Sequence, residues 1–493
     1  MSKEQWVAKS KEIRIPNQMF IDGEFVSAVS GATFDAISPI DQRVLANVAA
    51  GDSHDVDKAV TAAKRTFENG VWRDLNPRDK KAIMLKWADL IREHYEEIAL
   101  LETLEVGKPI GDTSGYDALA VARVIQWYGE AIDKRYDEIA PAPTNSLAMI
   151  TREPLGVIGA IVPWNYPIVI ASWKIGPALA MGNSMVLKPS EESSLAILKI
   201  AQLGIEAGIP KGVFNVVTGL GDQAGQALAR HMDVAKIAFT GSGPVGKKML
   251  QYAAESNLKQ VALELGGKSP QVVLDDVVDL DKAASTIAWG IYYNSGQTCN
   301  AGSRVIVHES IKEALTAKLA EFVGNFKVGD PLDPTTQMGP VVSLKQRDRV
   351  NSYLELVGES GEKFIFGGKK PTGNDCYFEP TLIDGAKHDS RLVQEEIFGP
   401  VIVVETFKSD QEALALANGT NYGLAASVWS GNISRAHNFA KRLRAGTVWI
   451  NTFDMSDVIT PFGGFNGSGS GRDKSLHALD GYSALKTTWV DLG

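Results

Sequence analysis

The chain has 493 residues, of which 44% are hydrophobic and 22% charged, and a formal net charge of −9. That length exceeds one compact core and calls for two or three domains, while the acidic balance excludes the basic face that nucleic acid requires. No run of about 18 apolar residues is present to span a membrane, and two cysteines cannot staple so long a chain, so a cytoplasmic location is expected.

The opening "MSKEQWVAKSKEIRIPNQ" lacks the apolar core of a secretory leader. The seven histidines are scattered singly, so no metal site is expected. In chain order, "PRDKKAIMLKWADLIREHYEEIALLETLEVGKP" places Ile83, Trp87, Leu90, Ile91, Ile98 and Leu101 on one stripe. This spacing predicts one long packed helix that starts at Asn76–Pro77 and stops at Gly107. From residue 157, the strand-like runs "VIGAIV", "SMVLKP", "VFNVV", "AKIAFT" and "QVALEL" alternate with helical stretches of crossover length. Such alternation predicts a doubly wound parallel sheet, with ligands at the carboxyl ends of its strands. After residue 279 the alternation returns through "AASTIAWGIYYNSG", "SRVIVH", "KEALTAKLAEFV", "GPVIVVETF", "LAASVWS" and "AGTVWIN", and a second α/β domain is expected. "PFGGFNGSGSGR" reads as loop, and the tail "SALKTTWVDLG" as an edge strand.

"FTGSGPVG" follows a strand and opens a helix, and its Gly241, Gly243 and Gly246 match G-x-G-x-x-G. Glycines at such a turn let backbone N–H groups approach a pyrophosphate. A second glycine turn, "TGLGDQAG", carries Gly221 and Gly225 and is expected to border the same crevice. The dinucleotide fingerprint also asks for an acid about 20 residues on, to hold a ribose. Glu264 lies roughly there, while Glu191 of "LKPSE" is a competing ribose acid, and spacing alone leaves that choice open. Cys299 in "GQTCNAG" is one of two thiols, the other being Cys376. Taken singly, Cys299 reads as a small core residue, Asn165 as a turn residue and Glu264 as a surface carboxylate.

The motifs "PWNYP", "LKPSE", "FTGS", "LELGGKSP", "GQTCNAGSR", "EEIFGP" and "PFGGFNGSGSGR" occur in this order. Together they resemble the NAD(P)-dependent aldehyde dehydrogenase superfamily from about residue 20 to the tail. "GRDKSLHAL" and "SVWS" narrow the likeness to bacterial enzymes that oxidise amino- and guanidino-butyraldehydes. The resemblance implies two doubly wound domains plus a small β extension. The dinucleotide-binding domain would take residues 1–132 and 156–266, the catalytic domain 267–477, and the oligomerisation extension 133–155 and 478–493. It implies Cys299 as nucleophile, Asn165 as half of an oxyanion hole, Glu264 as general base and Lys174 in a proton relay. For NAD it implies Trp164, Lys188, Glu191, Gly221, Gly225, Thr240, Gly241, Ser242, Gly246, Leu265, Glu396 and Phe398.

A thiol of ordinary pKa is only a few per cent thiolate at neutral pH, so a helix N-terminus, a cation or a base is expected beside Cys299. Thr298 and Asn300 stand where the superfamily often has small or apolar residues, and are expected to touch the substrate. Tyr166, Trp173, Tyr293 and Phe453 beside Asp457 are expected to form a mouth for a cationic ω-amino or guanidino aldehyde. An uncharged aliphatic or aromatic aldehyde is the alternative. A coenzyme A-dependent acylating enzyme and a catalytically silent protein are further rivals. Glu264 speaks against the first, and Cys299, Asn165 and Glu264 together against the second. A homodimer or homotetramer acting on a small aldehyde is expected.

Overall fold

A computed structural model describes residues 1–373 and 375–493. The five strand-like runs form the parallel core of an eight-stranded sheet, in the spatial order 260–264, 234–240, 157–161, 184–188, 214–216. The first strand in sequence, Val157–Ile161, lies between the second and the fourth, which makes it the switch point where the strand order reverses. The segments that leave these strands carry Trp164 and Asn165, Lys188, the Thr240–Ser242 turn and Glu264.

The edges of this sheet depart from the expected all-parallel arrangement. Met19–Ile21 and Glu24–Val26 add an antiparallel hairpin at one edge, and Gly469–Ser470 pairs antiparallel with Leu263 and Glu264 at the other. Strands of two or three residues are too short to show a period of two. Gly469–Ser470 also lies inside the glycine-dense segment read as loop.

The long helix expected over residues 77–107 is two helices, Pro77–Glu93 and Tyr95–Val106, broken at His94. Its ends are as expected: the Asn76 side chain accepts from the Arg78 N–H, and Gly107 stops the second helix at φ +76°. The apolar stripe hid the break because Ile98–Val106 is buried on every side, so the second helix has no solvent face to mark a change of direction. Its Glu105 carboxylate accepts from the N–H groups of Leu195 (2.7 Å) and Ala196 (3.2 Å), capping the Leu195–Ala207 helix behind Lys188 and Glu191. Burial pushes the Glu105 carboxyl up to about 8 against the pull of these N–H bonds.

The second sheet has seven strands, in the spatial order 363–366, 381–384, 401–407, 304–308, 270–273, 425–429, 447–450. All of its pairings are parallel except the first. Cys299 and Glu396 precede the strands Arg304–His308 and Val401–Phe407. The second sheet therefore presents amino-end loops to the carboxyl-end loops of the first. The tail strand, Ser483–Asp491, pairs over nine residues with Ser146–Pro154, and Glu138–Ala140 completes a separate three-stranded sheet with the tail strand at its edge.

Candidate active site

The local backbone explains how Cys299 is presented. Beyond the Leu280–Tyr292 helix, Asn294, Ser295 and Gly296 turn the chain at φ of 48°, 56° and 72°. Gly296 lies against the Gly399 carbonyl, where a Cβ would come within 2.1 Å. Only glycine allows that approach, and it joins "GQTCNAG" to "EEIFGP" backbone to backbone. Asn165 is tied to the same loop twice. Its Nδ2 donates to the Gln297 carbonyl (2.9 Å), and its own carbonyl accepts from Asn294 Nδ2 (2.9 Å). One Nδ2–H of the buried Asn165 side chain is left over.

Two cavities meet at Cys299. The first, of about 190 Å³, is lined by Trp164, Asn165, Thr240, Gly241, Ser242, Leu265, Glu396 and Phe398, together with Gln346 and Arg349. The Trp164 and Phe398 rings meet edge to face at 5.3 Å. Gln346 Nε2 donates to the Phe398 carbonyl (2.7 Å), and Arg349 Nη2 to the Glu396 carbonyl (2.7 Å). These two residues of the Leu344–Leu354 helix escaped the sequence reading because their role is to hold backbone, which leaves no motif. Ser242 caps the Gly243–Ala254 helix without a side-chain bond, so the first N–H groups of that helix have no cap.

The second cavity, of about 360 Å³, is lined by Tyr166, Trp173, Tyr293, Thr298 and Asn300, joined by Asp112, Tyr116, Trp289, Asp454, Ser456 and Phe462. Cys299 and Ile170 line both cavities.

Several expected residues lie outside these walls. Phe453 is buried beneath the helix, packing on Trp449 (4.8 Å between centroids) and against Gly290, and does not line the second cavity. Asp457 is exposed, and its carboxylate accepts from Ile459 N–H in a turn of its own loop (3.1 Å). Asp454 takes the place expected of it: held at φ +57°, it accepts from Asn300 Nδ2 (2.7 Å) and faces the cavity. Lys188 and Glu191 pair at 3.3 Å beyond the first cavity. Gly221 and Gly225 bound a five-residue turn, also beyond it. Gly246 makes room for Leu265, since a Cβ there would come within 2.7 Å of that side chain.

Glu264 lines neither cavity. It is 4% exposed, and neither of its carboxylate oxygens has a hydrogen-bond partner. Beside it, buried Lys174 donates to Asp473 at 2.5 Å. Asp473 of "GRDKS" was not singled out from the sequence, because nothing local distinguishes it from a surface acid.

Burial raises the Cys299 thiol well above its ordinary range, and Glu396, Glu264 and Asp454 raise it further. The Asn300 backbone N–H pulls the other way. No helix starts at Cys299, so of the helix terminus, cation or base expected beside it, the helix terminus is absent. Burial also raises Glu264, with Asp473 adding to the effect and Lys174 and Arg472 opposing it. Glu396 is pushed up to about 7 by burial against its bond from Gly267 N–H. Without cofactor, alkylation of Cys299 by iodoacetamide is therefore expected to be slow at neutral pH and still rising above pH 9. Glu396→Gln shifts that profile to lower pH. A rate that levels off near pH 8 in the wild-type protein would contradict this account.

Comparison with known proteins agrees with this geometry. Residues 25–488 match the aldehyde dehydrogenase family. The chain is 48% identical over 487 residues to the NADP/NAD-dependent aldehyde dehydrogenase PuuC of Escherichia coli (strain K12), covering 99% of this chain and 98% of that one. Its fold superposes with a TM-score of 0.98 on the gamma-glutamyl-gamma-aminobutyraldehyde dehydrogenase of Burkholderia cenocepacia J2315, at 51% identity and full coverage of both chains. It superposes equally, at 49% identity and full coverage of both chains, on an indole-3-acetaldehyde dehydrogenase in complex with NAD+. A family match over residues 25–488, with a half-buried cysteine at the junction of two cavities on a fold shared end to end with these enzymes, places the chain in the aldehyde dehydrogenase family.

Proposed function

We propose that the protein oxidises an ω-amino aldehyde to its carboxylic acid with NAD, through a thioester on Cys299. The observation that carries this reading is the position of Cys299 on the walls of both cavities, which lets one sulfur meet two substrates. The first cavity fits a dinucleotide. Its Thr240–Ser242 turn opens a helix whose first N–H groups lack a side-chain cap, a natural seat for a pyrophosphate. Glu396 and Phe398 border the reacting end, and the Lys188–Glu191 pair serves the adenosine ribose. A carboxylate at Glu191 would accept from the ribose hydroxyls and would repel a 2′-phosphate, which favours NAD over NADP. When bound, NAD accepts a hydride and brings a ring cation beside the thiol.

The protein's own groups do the rest. Cys299 gives its proton to solvent in the cavity, its thiolate Sγ attacks the aldehyde carbon, and the free Nδ2–H of Asn165 and the Cys299 N–H hold the resulting alkoxide. Collapse of that adduct leaves the thioester. Glu264, free of hydrogen bonds and with its carboxyl raised above the ordinary range by burial, takes in its ionised form a proton from the water that cleaves it. Because Glu264 lines neither cavity, its side chain turns toward the thioester or acts through a bridging water. Lys174 and Asp473 carry the proton onward. A free, reduced thiol of this kind suits the cytoplasm.

Cys299→Ala is expected to abolish oxidation while NAD still binds. Glu264→Gln is expected to release one equivalent of reduced cofactor per site in a burst and then turn over at least about 100-fold more slowly. A silent first turnover in Glu264→Gln would confine the base elsewhere. Rapid turnover restored by coenzyme A in the wild-type enzyme would favour an acylating reaction instead.

Asp112 and Asp454 are the charged groups on the walls of the aldehyde cavity. Burial pushes Asp112 up to about 7, with Asp117 adding to the shift and Lys108 opposing it. Asp112 is thus uncharged below that pH and charged above it, so preference for 4-aminobutyraldehyde over butyraldehyde should grow between pH 6 and 8. Asp112→Asn or Asp454→Asn should each cost the amine roughly fivefold in kcat/KM, the order expected of a partly screened ion pair, and leave butyraldehyde within twofold. Equal efficiency for the two aldehydes would move the assignment to neutral aldehydes, for which the aromatic walls are equally suited.

The three-stranded sheet leaves Ile139, Leu485 and Trp489 between 62% and 74% exposed. Exposed apolar residues grouped on one small sheet mark a protein contact, and we read this sheet as the extension that joins subunits into a dimer or tetramer. Sedimentation should show an oligomer that Leu485→Glu/Trp489→Glu dissociates. A wild-type monomer would refute the reading.

A further inference from the structure

A buried cation stands behind the wall of the second cavity. Lys108 follows the Gly107 stop, is 1% exposed, and holds its Nζ 3.7 Å from the centre of the Tyr166 ring. The ammonium bonds closely to the Asp117 carboxylate and lies 3.9 Å from Glu102 Oε1. Asp117 ends a π-turn, Thr113–Asp117, a helix irregularity that often accompanies function. Glu102 is fully buried, and neither of its carboxylate oxygens is hydrogen bonded. Burial and Asp117 push its carboxyl well above the ordinary range. None of these groups takes part in the chemistry at sulfur. A buried ion pair is also weak grounds for stability, because desolvation offsets its attraction.

The ring that Lys108 touches is connected to the nucleophile. Tyr166 Oη lies 3.0 Å from Thr298 Oγ1, and Thr298 directly precedes Cys299. Tyr293 stacks on the same ring at 6.4 Å. A desolvated ammonium on an aromatic face is a stronger contact than an exposed one, so Lys108 restricts how the ring tilts. Ring tilt sets where the hydroxyl points.

We propose that Lys108 is a positioning residue for the reaction: anchored by Asp117, its ammonium fixes the Tyr166 ring, and the Tyr166 hydroxyl fixes Thr298 and with it the approach of the aldehyde to Cys299. The proposal rests on the second cavity being the aldehyde site. Wild-type activity and its loss in Cys299→Ala test that reading, whereas the cycle below tests Lys108 alone.

The experiment is a double-mutant cycle between Lys108→Met/Asp117→Asn, which removes both charges together, and Tyr166→Phe, which keeps the ring and removes the hydroxyl. With folding checked by thermal melts, Lys108→Met/Asp117→Asn should bind NAD within twofold of wild type and lose about tenfold in kcat/KM for the aldehyde. Tyr166→Phe should lose roughly three- to tenfold, and the combined variant no more than the larger single loss, as for residues acting through one contact. Losses that multiply, or a Lys108→Met/Asp117→Asn enzyme within twofold of wild type, would overturn the proposal. If that variant does not fold, Lys108→Arg keeps the charge pair and replaces it in the same cycle. Its aldehyde kcat/KM should fall about threefold in the wild-type background and stay unchanged with Tyr166→Phe, and an equal fall in both backgrounds overturns the proposal.

Discussion

The constraint on which this site depends is the desolvation of a half-buried thiol ringed by carboxyl groups. Loss of solvent opposes the ionisation of Cys299 most, and Glu396, Glu264 and Asp454 oppose it further. Such a group cannot hold a negative charge unless a positive one is brought near. Burial raises the Glu264 carboxyl as well, so one desolvated pocket governs both groups.

That pocket exists because two sheets face each other with opposite ends. The first sheet offers carboxyl-end loops, with Asn165 and the Thr240–Ser242 turn. The second offers amino-end loops, with Cys299 and Glu396. Loops carry more positional freedom than strands, so the seam is pinned. Gly296 is pressed onto the Gly399 carbonyl, Asn165 is bonded twice to the cysteine loop, and Gln346 and Arg349 hold the backbone of the Glu396 loop. Each pin is a backbone contact or a bond to backbone. The Glu264 carboxylate, by contrast, carries no hydrogen bond.

Charge around the second cavity is layered. Asp112 and Asp454 face the space itself. Lysines stand behind its aromatic walls, Lys108 at Tyr166 and Lys474 at 5.2 Å from the Trp173 ring and 5.4 Å from Phe462. The rings separate the lysine ammonium groups from the cavity, so the acids dominate the field a ligand meets first. Burial lowers the Lys474 ammonium while Asp454, Asp473 and Asp457 sustain it, which ties the lysine layer to the acids in front of it.

The five parallel strands of the first sheet and four strands of the second were legible in the sequence, whereas the short strands at 270–273, 363–366 and 381–384 were not. A strand run followed by a turn and a helical stretch is written locally, in the period of the apolar residues; "PWNYP" and "FTGS" stand at such junctions, while "GQTCNAG" and "EEIFGP" precede strands. Ends of helices were legible for the same reason, since Asn76 and Gly107 act on their own neighbours. What faces what was not. Asp454 and Asp457 are three residues apart in one loop, and only the left-handed backbone at Asp454 decides that it meets Asn300 while Asp457 closes its own turn. Phe453 was drawn under the helix by burial, and Asp473 was brought to Lys174 across 299 residues of chain. Those placements come from packing and desolvation, which depend on every element at once and leave no mark in a local stretch of sequence.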